Sequence, residues 1–262
     1  MTEIQLPNTL ITTTIQALPH PPLFVTVSGA HLYGFPSPDS DVDLRGVFVL
    51  PLPSVLGLDA PEETLTQMTL REGVELDLVA HDIKKFLTLL LKKNGYVLEQ
   101  LYSPLVMHGG PWFEELRDLG RGAITRHVYH HYAGFARNKI KEFEKEQPRW
   151  VKTLLYIYRV LCTGITMLHS GEVEANLLHL YADFDLPFIP DLIAQKVKEK
   201  ATLGESDVLM YQTAIARLQT ELDVAFNEST LPEAPTNYSA LNDFLIRARL
   251  HFGETPQPSG AQ

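Results

Sequence analysis

Residues 28–50 read SGAHLYGFPSPDSDVDLRGVFVL and say more about the fold than any other part of the chain. A β-prone run, residues 23–27, comes directly before the small-residue turn Ser28-Gly29-Ala30. A turn-rich segment of ten residues follows, and a second β-prone run begins at Asp41. The pattern predicts two strands, with a glycine turn after the first at which the backbone can approach an anion closely.

Acidic residues alternate along two of the predicted strands. Asp41 and Asp43 lie two residues apart, so their side chains leave the same face of the strand. Glu75 and Asp77 repeat this spacing in a third strand, predicted at residues 74–80. Carboxylates held side by side repel unless a cation lies between them, and such oxygen ligands suit Mg²⁺ bound together with substrate phosphates. If the strands are neighbours, three carboxylates converge as in a two-metal site; the alternative for an isolated Asp-x-Asp is a solvated strand end.

The same residues carry a family resemblance. Val27-Ser28-Gly29-Ala30, the ten-residue loop and Asp41-Val42-Asp43-Leu44 resemble the signature of the DNA polymerase beta nucleotidyltransferase superfamily. The longer string at residues 28–49 resembles a narrower bacterial and phage group, the RNA-ligase-associated nucleotidyltransferases linked to RNA repair. Residues 76–104 and 152–177 fit the same group. The resemblance implies an enzyme that moves a nucleoside monophosphate from an NTP to a hydroxyl acceptor, with Mg²⁺ or Mn²⁺ as the cofactor.

The resemblance also implies roles for individual positions. Asp41 and Asp43 match the two metal-binding acids, and Asp77 matches the third, which helps to activate the attacking hydroxyl; all three are the catalytic candidates. The nucleotide-binding candidates are Ser28, Gly29, Arg45, Lys152 and Arg159.

Three of these nucleotide-binding candidates have a structural alternative. Arg45 contacts phosphate or, equally well, forms an ion pair with Asp41. Lys152 and Arg159 share a helical face with Tyr156, which faces the nucleotide or is a solvated basic edge.

The pattern of apolar residues changes after about residue 110, where strand-like runs are replaced by helical periodicity. Helices are predicted near residues 112–119, 122–146, 149–170, 188–201, 205–228 and 238–251. We therefore expect an α+β protein: a small mixed β-sheet nucleotidyltransferase core at residues 1–110, an all-helical domain at residues 111–253 and a flexible tail at residues 254–262. The nucleotide should lie in the cleft between the two parts. Residues 1–22, which contain four prolines, are predicted to be irregular.

Composition excludes several classes of protein. The 262 residues include 45% hydrophobic and 21% charged residues, which is typical of a folded globular chain. The single cysteine, Cys162, excludes a disulfide framework. The first residues have neither the basic nor the apolar region of a signal peptide. The apolar segment 153–169 contains Arg159 and is short for a bilayer span, so we expect a cytoplasmic protein without membrane contact.

The acceptor of the transferred group is left open by the sequence. The net charge of −10 argues against a general nucleic-acid coat, which needs a basic surface. Residues 121–152, however, contain eight Lys or Arg and three Glu, a net charge of +5. An RNA 3′ end is therefore favoured, with a small molecule or a protein hydroxyl as alternatives. A different class, a non-catalytic nucleotide-binding or regulatory protein, is favoured by Ala30, which replaces a serine of the family pattern, and disfavoured by the three intact carboxylates.

Overall fold

A five-stranded mixed sheet lies at the centre of the fold. The computed structural model describes residues 6–71, 73–196 and 201–253, so the tail predicted at residues 254–262 lies outside the described part. The strands are β1 (Pro22–Val27), β2 (Val42–Phe48), β3 (Thr64–Arg71), β4 (Val74–Asp82) and β5 (Val106–His108), in the spatial order β3-β4-β2-β1-β5. The pairing of β2 with β4 is parallel and the other pairings are antiparallel. The predicted α+β fold with a small mixed sheet is confirmed.

Helices precede, interrupt and follow the sheet. They are α1 (Asn8–Gln16), α2 (Gly29–Leu32), α3 (Leu52–Leu56), α4 (Ile83–Leu91), α5 (Gly95–Leu101), α6 (Pro111–Arg121), α7 (Tyr129–Lys145), α8 (Val151–Ser170), α9 (Leu177–Leu180), α10 (Ile189–Gln195), α11 (Val208–Glu228) and α12 (Tyr238–Phe252). Short 3-10 turns, Arg126–Val128 and Glu205–Asp207, lead into α7 and α11. The helix predicted from residue 122 therefore begins later, and α10 ends at Gln195, before the undescribed residues 197–200.

The prediction that residues 1–22 are irregular is wrong for the segment that forms α1. Its β-branched threonines and isoleucines have low helix propensity, which hides the helix from a propensity argument. The helix is held instead by tertiary packing, since Ile11, Thr14 and Ile15 share one face and are buried.

Two apolar clusters cover the two faces of the sheet. One, which includes Val25, Leu44 and Leu76, lies under α1. The other begins at Phe24 and Val47 on the opposite face and continues without interruption into helices α4 to α8 and beyond. This second cluster contains residues from both sides of residue 110. The domain boundary predicted there stays a prediction.

The longest buried element is α8. The apolar segment read from the sequence, residues 153–169, is short for a bilayer span. The helix itself has 20 residues, and by length and apolar composition alone it could cross a membrane. However, 83% of its most apolar window is buried inside the protein, and its buried residues include Arg159. That burial is the behaviour of a central core helix.

Candidate nucleotide and metal site

Two acids of the predicted site lie directly side by side. The parallel register of β2 and β4 pairs Asp43 with Asp77. The neighbouring residues Val42 and Leu44 point to the opposite, buried face of the sheet, at 2% and 0% exposure. Alternation along the strands therefore turns both carboxylates to the other face of the sheet, where residues of α4, α5 and α8 line the cavity at Asp43. The condition set by the sequence, that the two acidic strands be neighbours, is met.

Arg45 bridges this carboxylate pair. One terminal nitrogen, Nη2, donates to Asp43 Oδ1 at 2.7 Å and to Asp77 Oδ2 at 3.0 Å. The other, Nη1, donates to the backbone carbonyls of Leu44 and Asp77 at 2.9 and 2.8 Å. The ion pair that was the alternative to phosphate contact therefore forms, but its partners are Asp43 and Asp77.

The surroundings of Asp43 raise its pKa, so its ionised form is less stable in the folded protein than in water. Burial raises the pKa of Asp43, and the nearby carboxylates of Asp77 and Asp41 raise it further, while Arg45 acts in the opposite direction. Asp41 is exposed and precedes β2 by one residue, so it contributes charge from the rim. A site with this excess of negative charge favours a bound cation.

The glycine turn lies against Asp43. Ser28 donates its backbone N–H to the Asp43 carbonyl at 2.8 Å, which fixes the end of β1 beside the acid. Gly29 follows with φ of +62°, a conformation that residues with a Cβ rarely adopt. A Cβ at Gly29 would lie 1.8 Å from Asp43 Oδ2. Backbone conformation and the carboxylate thus both require glycine here.

This geometry predicts the effect of Gly29→Ala. The added methyl must displace the Asp43 carboxylate, and a displacement of about 1 Å at a reacting site costs about 100-fold in rate. We expect at least that loss of nucleotide transfer, measured by initial rates, and a lower midpoint of thermal unfolding.

Gly73→Ala is the matched control for this change. Gly73 also has a positive φ, +78°, but a Cβ there meets nothing within 4 Å. It should reproduce the backbone strain, about 1–2 kcal/mol, without the loss of rate. Equal rates for the two variants would contradict the proposed contact between the turn and Asp43.

A buried hydrogen-bond network lies behind the turn. The backbone N–H of Tyr33 donates to the Gly29 carbonyl at 3.0 Å, and the Tyr33 phenol donates to Glu99 Oε2 at 3.2 Å. Tyr132 and Arg159 both donate to Glu99 Oε1, at 3.2 and 2.6 Å. Burial raises the pKa of Tyr33 and of Tyr132, so both phenols stay protonated. Through Tyr33 the network connects α8 and α7 with the Gly29 turn.

The position of Arg159 does not fit the predicted nucleotide contact. Its side chain is 1% exposed, is paired with Glu99, and lies over the Tyr33 ring at 3.9 Å. The sequence spacing places Arg159 on the same helical face as Lys152 and Tyr156. It could not show that this face is buried in the protein interior at Arg159. The partner, Glu99, was visible in the sequence only as an acid without a role. We therefore treat Arg159 as a residue that positions the turn.

A cavity of about 390 Å³ opens in front of the acids. It lies between the sheet, the Gly29 turn and the helices, and is lined by Ser28, Gly29, Tyr33, Asp43, Arg45, Val79, His81, Leu89, Asn94, Tyr96, Val97, Gln100 and Tyr156. Lys152 lines a neighbouring cavity of about 490 Å³, and Tyr156 borders both. Of the predicted residues, Ser28, Gly29, Asp43 and Arg45 thus line the first cavity, and Lys152 lines the neighbouring one.

His81 is a cavity residue that the sequence argument missed. It lies four residues after Asp77 on β4, so the period of two that selected Asp77 also places His81 on the same face. Burial lowers the pKa of His81, and the nearby cations Lys85 and Arg45 lower it further, so the neutral imidazole faces the cavity.

The donor set fits a divalent cation that arrives with a nucleotide. Asp43 and Asp77 supply carboxylate oxygens on adjacent strands. Within the part of the chain that the structure describes, no three His, Cys, Asp or Glu side chains are grouped tightly enough to hold one ion. Mg²⁺ commonly uses only one or two carboxylates and completes its shell with water and substrate phosphates. The pair therefore suits a metal–NTP complex better than a metal alone.

The mixed sheet, the glycine turn and the paired strand acids together define a nucleotidyltransferase core of the polymerase beta type. A sequence model of the RNA repair pathway DNA polymerase beta family matches residues 8–247. Because this match spans most of the chain, the protein belongs to that family, as its sequence resemblance predicted.

Comparisons with individual proteins gave further matches. An uncharacterized protein of Methanocaldococcus jannaschii is 31% identical over 237 residues, which are 88% of this chain and 95% of that protein. The uncharacterized protein YcgL of Bacillus subtilis is 29% identical over 141 residues, 52% of each chain. A nucleotidyltransferase-like protein from Exiguobacterium sibiricum aligns in structure over 94% of this chain and 89% of its own, at 12% identity. Its TM-score of 0.36 is too low to establish a shared fold.

Proposed function

We propose that this protein transfers a nucleoside monophosphate from an NTP to the 3′ hydroxyl of an RNA end and releases pyrophosphate. The observation that carries the proposal is the register of β2 and β4, which sets Asp43 beside Asp77 and against the Gly29 turn. The family supports a nucleotidyltransferase acting in RNA repair.

The chain's own residues would bind and orient the reactants. The Gly29 turn and Ser28 would receive the triphosphate, and Asp43 and Asp77 would hold the divalent cation, Mg²⁺ or Mn²⁺, with Asp41 adding negative charge from the rim and not as the third ligand that the sequence predicted. When bound, the cation neutralises phosphate charge and lowers the pKa of the attacking hydroxyl. The hydroxyl oxygen forms a bond to the α-phosphorus, its proton leaves toward Asp77, and the α–β bridging bond breaks as pyrophosphate departs. Most of the rate enhancement then comes from positioning and charge neutralisation.

The proposed RNA surface is one face of α7. Arg137, Lys141 and Lys145 follow each other at a spacing of four residues and are all exposed. An acidic protein that binds RNA must do so through a local surface of this kind.

A direct assay tests the proposal. The purified protein is incubated with each labelled NTP, Mg²⁺ or Mn²⁺, and a panel of RNA 3′ ends, small hydroxyl compounds and proteins. Transfer of label to RNA with release of pyrophosphate is expected. Transfer to another acceptor would replace the RNA end and keep the enzyme class. Binding of NTP without transfer to any acceptor would favour the non-catalytic class, to which Ala30 points.

The α7 surface predicts a salt dependence. Each phosphate contact on single-stranded RNA contributes about −0.7 to the slope of log affinity against log salt. Arg137→Gln, Lys141→Gln and Lys145→Gln combined should therefore flatten that slope by about two units. RNA affinity is measured at several salt concentrations, and NTP affinity should not change.

A charge-matched triple variant controls for net charge. Arg117→Gln, Arg217→Gln and Arg247→Gln remove three positive charges from exposed sites on α6, α11 and α12. This control should keep the wild-type slope. If it flattens the slope equally, RNA is attracted by overall charge and α7 is not its surface.

A further inference from the structure

Arg45 takes the position of a cation between the two acids of the proposed metal site. Its Nη2 contacts one oxygen of each carboxylate, at 2.7 and 3.0 Å, and these are oxygens that a bridging metal ion would use. The guanidinium is fixed from behind, since Nη1 donates to two backbone carbonyls. Its side chain is 19% exposed, so it faces the cavity and is not sealed in the core.

We propose that Arg45 is the internal counter-ion of this site and excludes free divalent metal until an NTP arrives. In the nucleotide-free protein the guanidinium offsets one of the two negative charges of Asp43 and Asp77 and occupies an oxygen of each. When the triphosphate enters, Nη2 moves from the carboxylates to phosphate oxygens, which bind a guanidinium fork well. The carboxylates are then released to the metal that the nucleotide carries. The inference rests on the proposed function, because it assigns the order in which that site is filled.

The arrangement gives the site a specificity for the metal–nucleotide complex. A metal ion alone must displace the guanidinium and leave it beside a second cation, which is a like-charge contact. A metal bound to a triphosphate brings the anion that accepts the guanidinium. Metal and NTP should therefore bind cooperatively, each increasing the affinity for the other by the same factor.

Binding of Mn²⁺ to the nucleotide-free protein tests the proposal without an activity assay. Free Mn²⁺ is followed by its electron paramagnetic resonance signal in the wild type, Arg45→Gln and Arg45→Lys. Arg45→Gln should bind Mn²⁺ at least tenfold more tightly than the wild type, because a competing charge is gone. Arg45→Lys keeps the charge and should stay near the wild-type affinity. Arg217→Gln, a charge loss on α11, should also leave the affinity unchanged.

The second measurement is Mn²⁺–NTP binding by calorimetry. Arg45→Gln should bind the complex about tenfold more weakly and should lose most of the cooperativity between metal and NTP. Unfolding midpoints show that each variant is folded before it is compared.

The outcomes separate this proposal from the function. If Arg45→Gln binds free Mn²⁺ no more tightly than the wild type, Arg45 is not a competitor and the proposal is overturned. Equal effects of the Gln and Lys variants would also overturn it, because they indicate a purely structural role. If the wild type binds no Mn²⁺–NTP complex at all, the proposed function fails first, whatever Arg45 does.

Discussion

Asp77→Ala is expected to lower the rate of nucleotide transfer by about 100- to 10,000-fold, the range typical of losing a residue that assists proton transfer. Asp77 lies directly beside Asp43 and shares the Arg45 guanidinium with it, so its removal takes away one wall of the proposed cation site. Asp43→Asn should abolish transfer for the same reason. In both variants the protein should remain folded, because the side chains of Asp43 and Asp77 are 26% and 27% exposed and do not fill the core.

Glu75→Ala is the matched control for Asp77→Ala. Glu75 lies two residues earlier on the same face of β4, but its register places it beyond the end of β2. Its removal should cost less than about tenfold, well below the range for a group that assists proton transfer. Initial rates with the labelled NTP and the acceptor found by the panel assay decide between the two. A larger effect at Glu75 than at Asp77 would reassign the third acid.

Thermal unfolding of Asp43→Asn gives an independent check. Because the pKa of Asp43 is raised in the folded protein, its ionised form destabilises the fold above the ordinary Asp range. The neutral amide avoids that cost, so without metal the unfolding midpoint near neutral pH should be no lower than that of the wild type. As the pH falls and Asp43 becomes protonated, the difference should disappear. A clear loss of stability at neutral pH would mean that the Arg45 ion pair outweighs burial.

The sequence predicted the strands that carry the glycine turn and the acids better than it predicted the rest of the sheet. β1, β2 and β4 are predicted by β-prone runs and by alternation. The period of two predicted that Asp43 shares a strand face with Asp41, and Asp77 with Glu75. β3 was missed, since burial alternates along it but its apolar residues Met68 and Leu70 lie on the exposed face. β5 has only three residues, too few for a periodic signal. The parallel neighbourhood of β2 and β4 is a tertiary contact that no local pattern contains.

Helix capping was predictable because its chemistry is local. Asp82 directly precedes the apolar periodic run of α4, which is the position of a capping residue, and its carboxylate accepts the Lys84 N–H at 3.0 Å. The same carboxylate also pairs with Arg249 of α12, a contact across 167 positions that the sequence could not reveal. The Arg159 pair with Glu99 is of the same kind, since it joins α8 to α5 through the interior. Long-range buried ion pairs therefore account for much of what sequence reasoning missed.

Arg159→Met is expected to lower the free energy of unfolding by about 3–5 kcal/mol, the cost of leaving one member of a buried ion pair without its partner. Glu99 would then be a buried carboxylate, at 1% exposure, held only by the phenols of Tyr33 and Tyr132. Glu99→Gln should have a comparable effect, because it leaves the buried Arg159 charge without its partner. Urea unfolding at neutral pH measures both.

The double variant Glu99→Gln with Arg159→Met separates a structural role from a nucleotide contact. It removes both charges together, so its destabilisation should fall below the sum of the single variants by about 2 kcal/mol or more, as expected for residues in direct contact. Because Tyr33 then keeps its backbone hydrogen bond to Gly29, NTP affinity in the folded double variant should stay within about threefold of the wild type. If Arg159 binds the nucleotide directly, NTP affinity in the double variant should instead fall by about tenfold or more, as for the loss of a charged hydrogen bond. Additive destabilisation together with that loss would restore Arg159 as a nucleotide ligand and would require the α8 face to open toward the cavity.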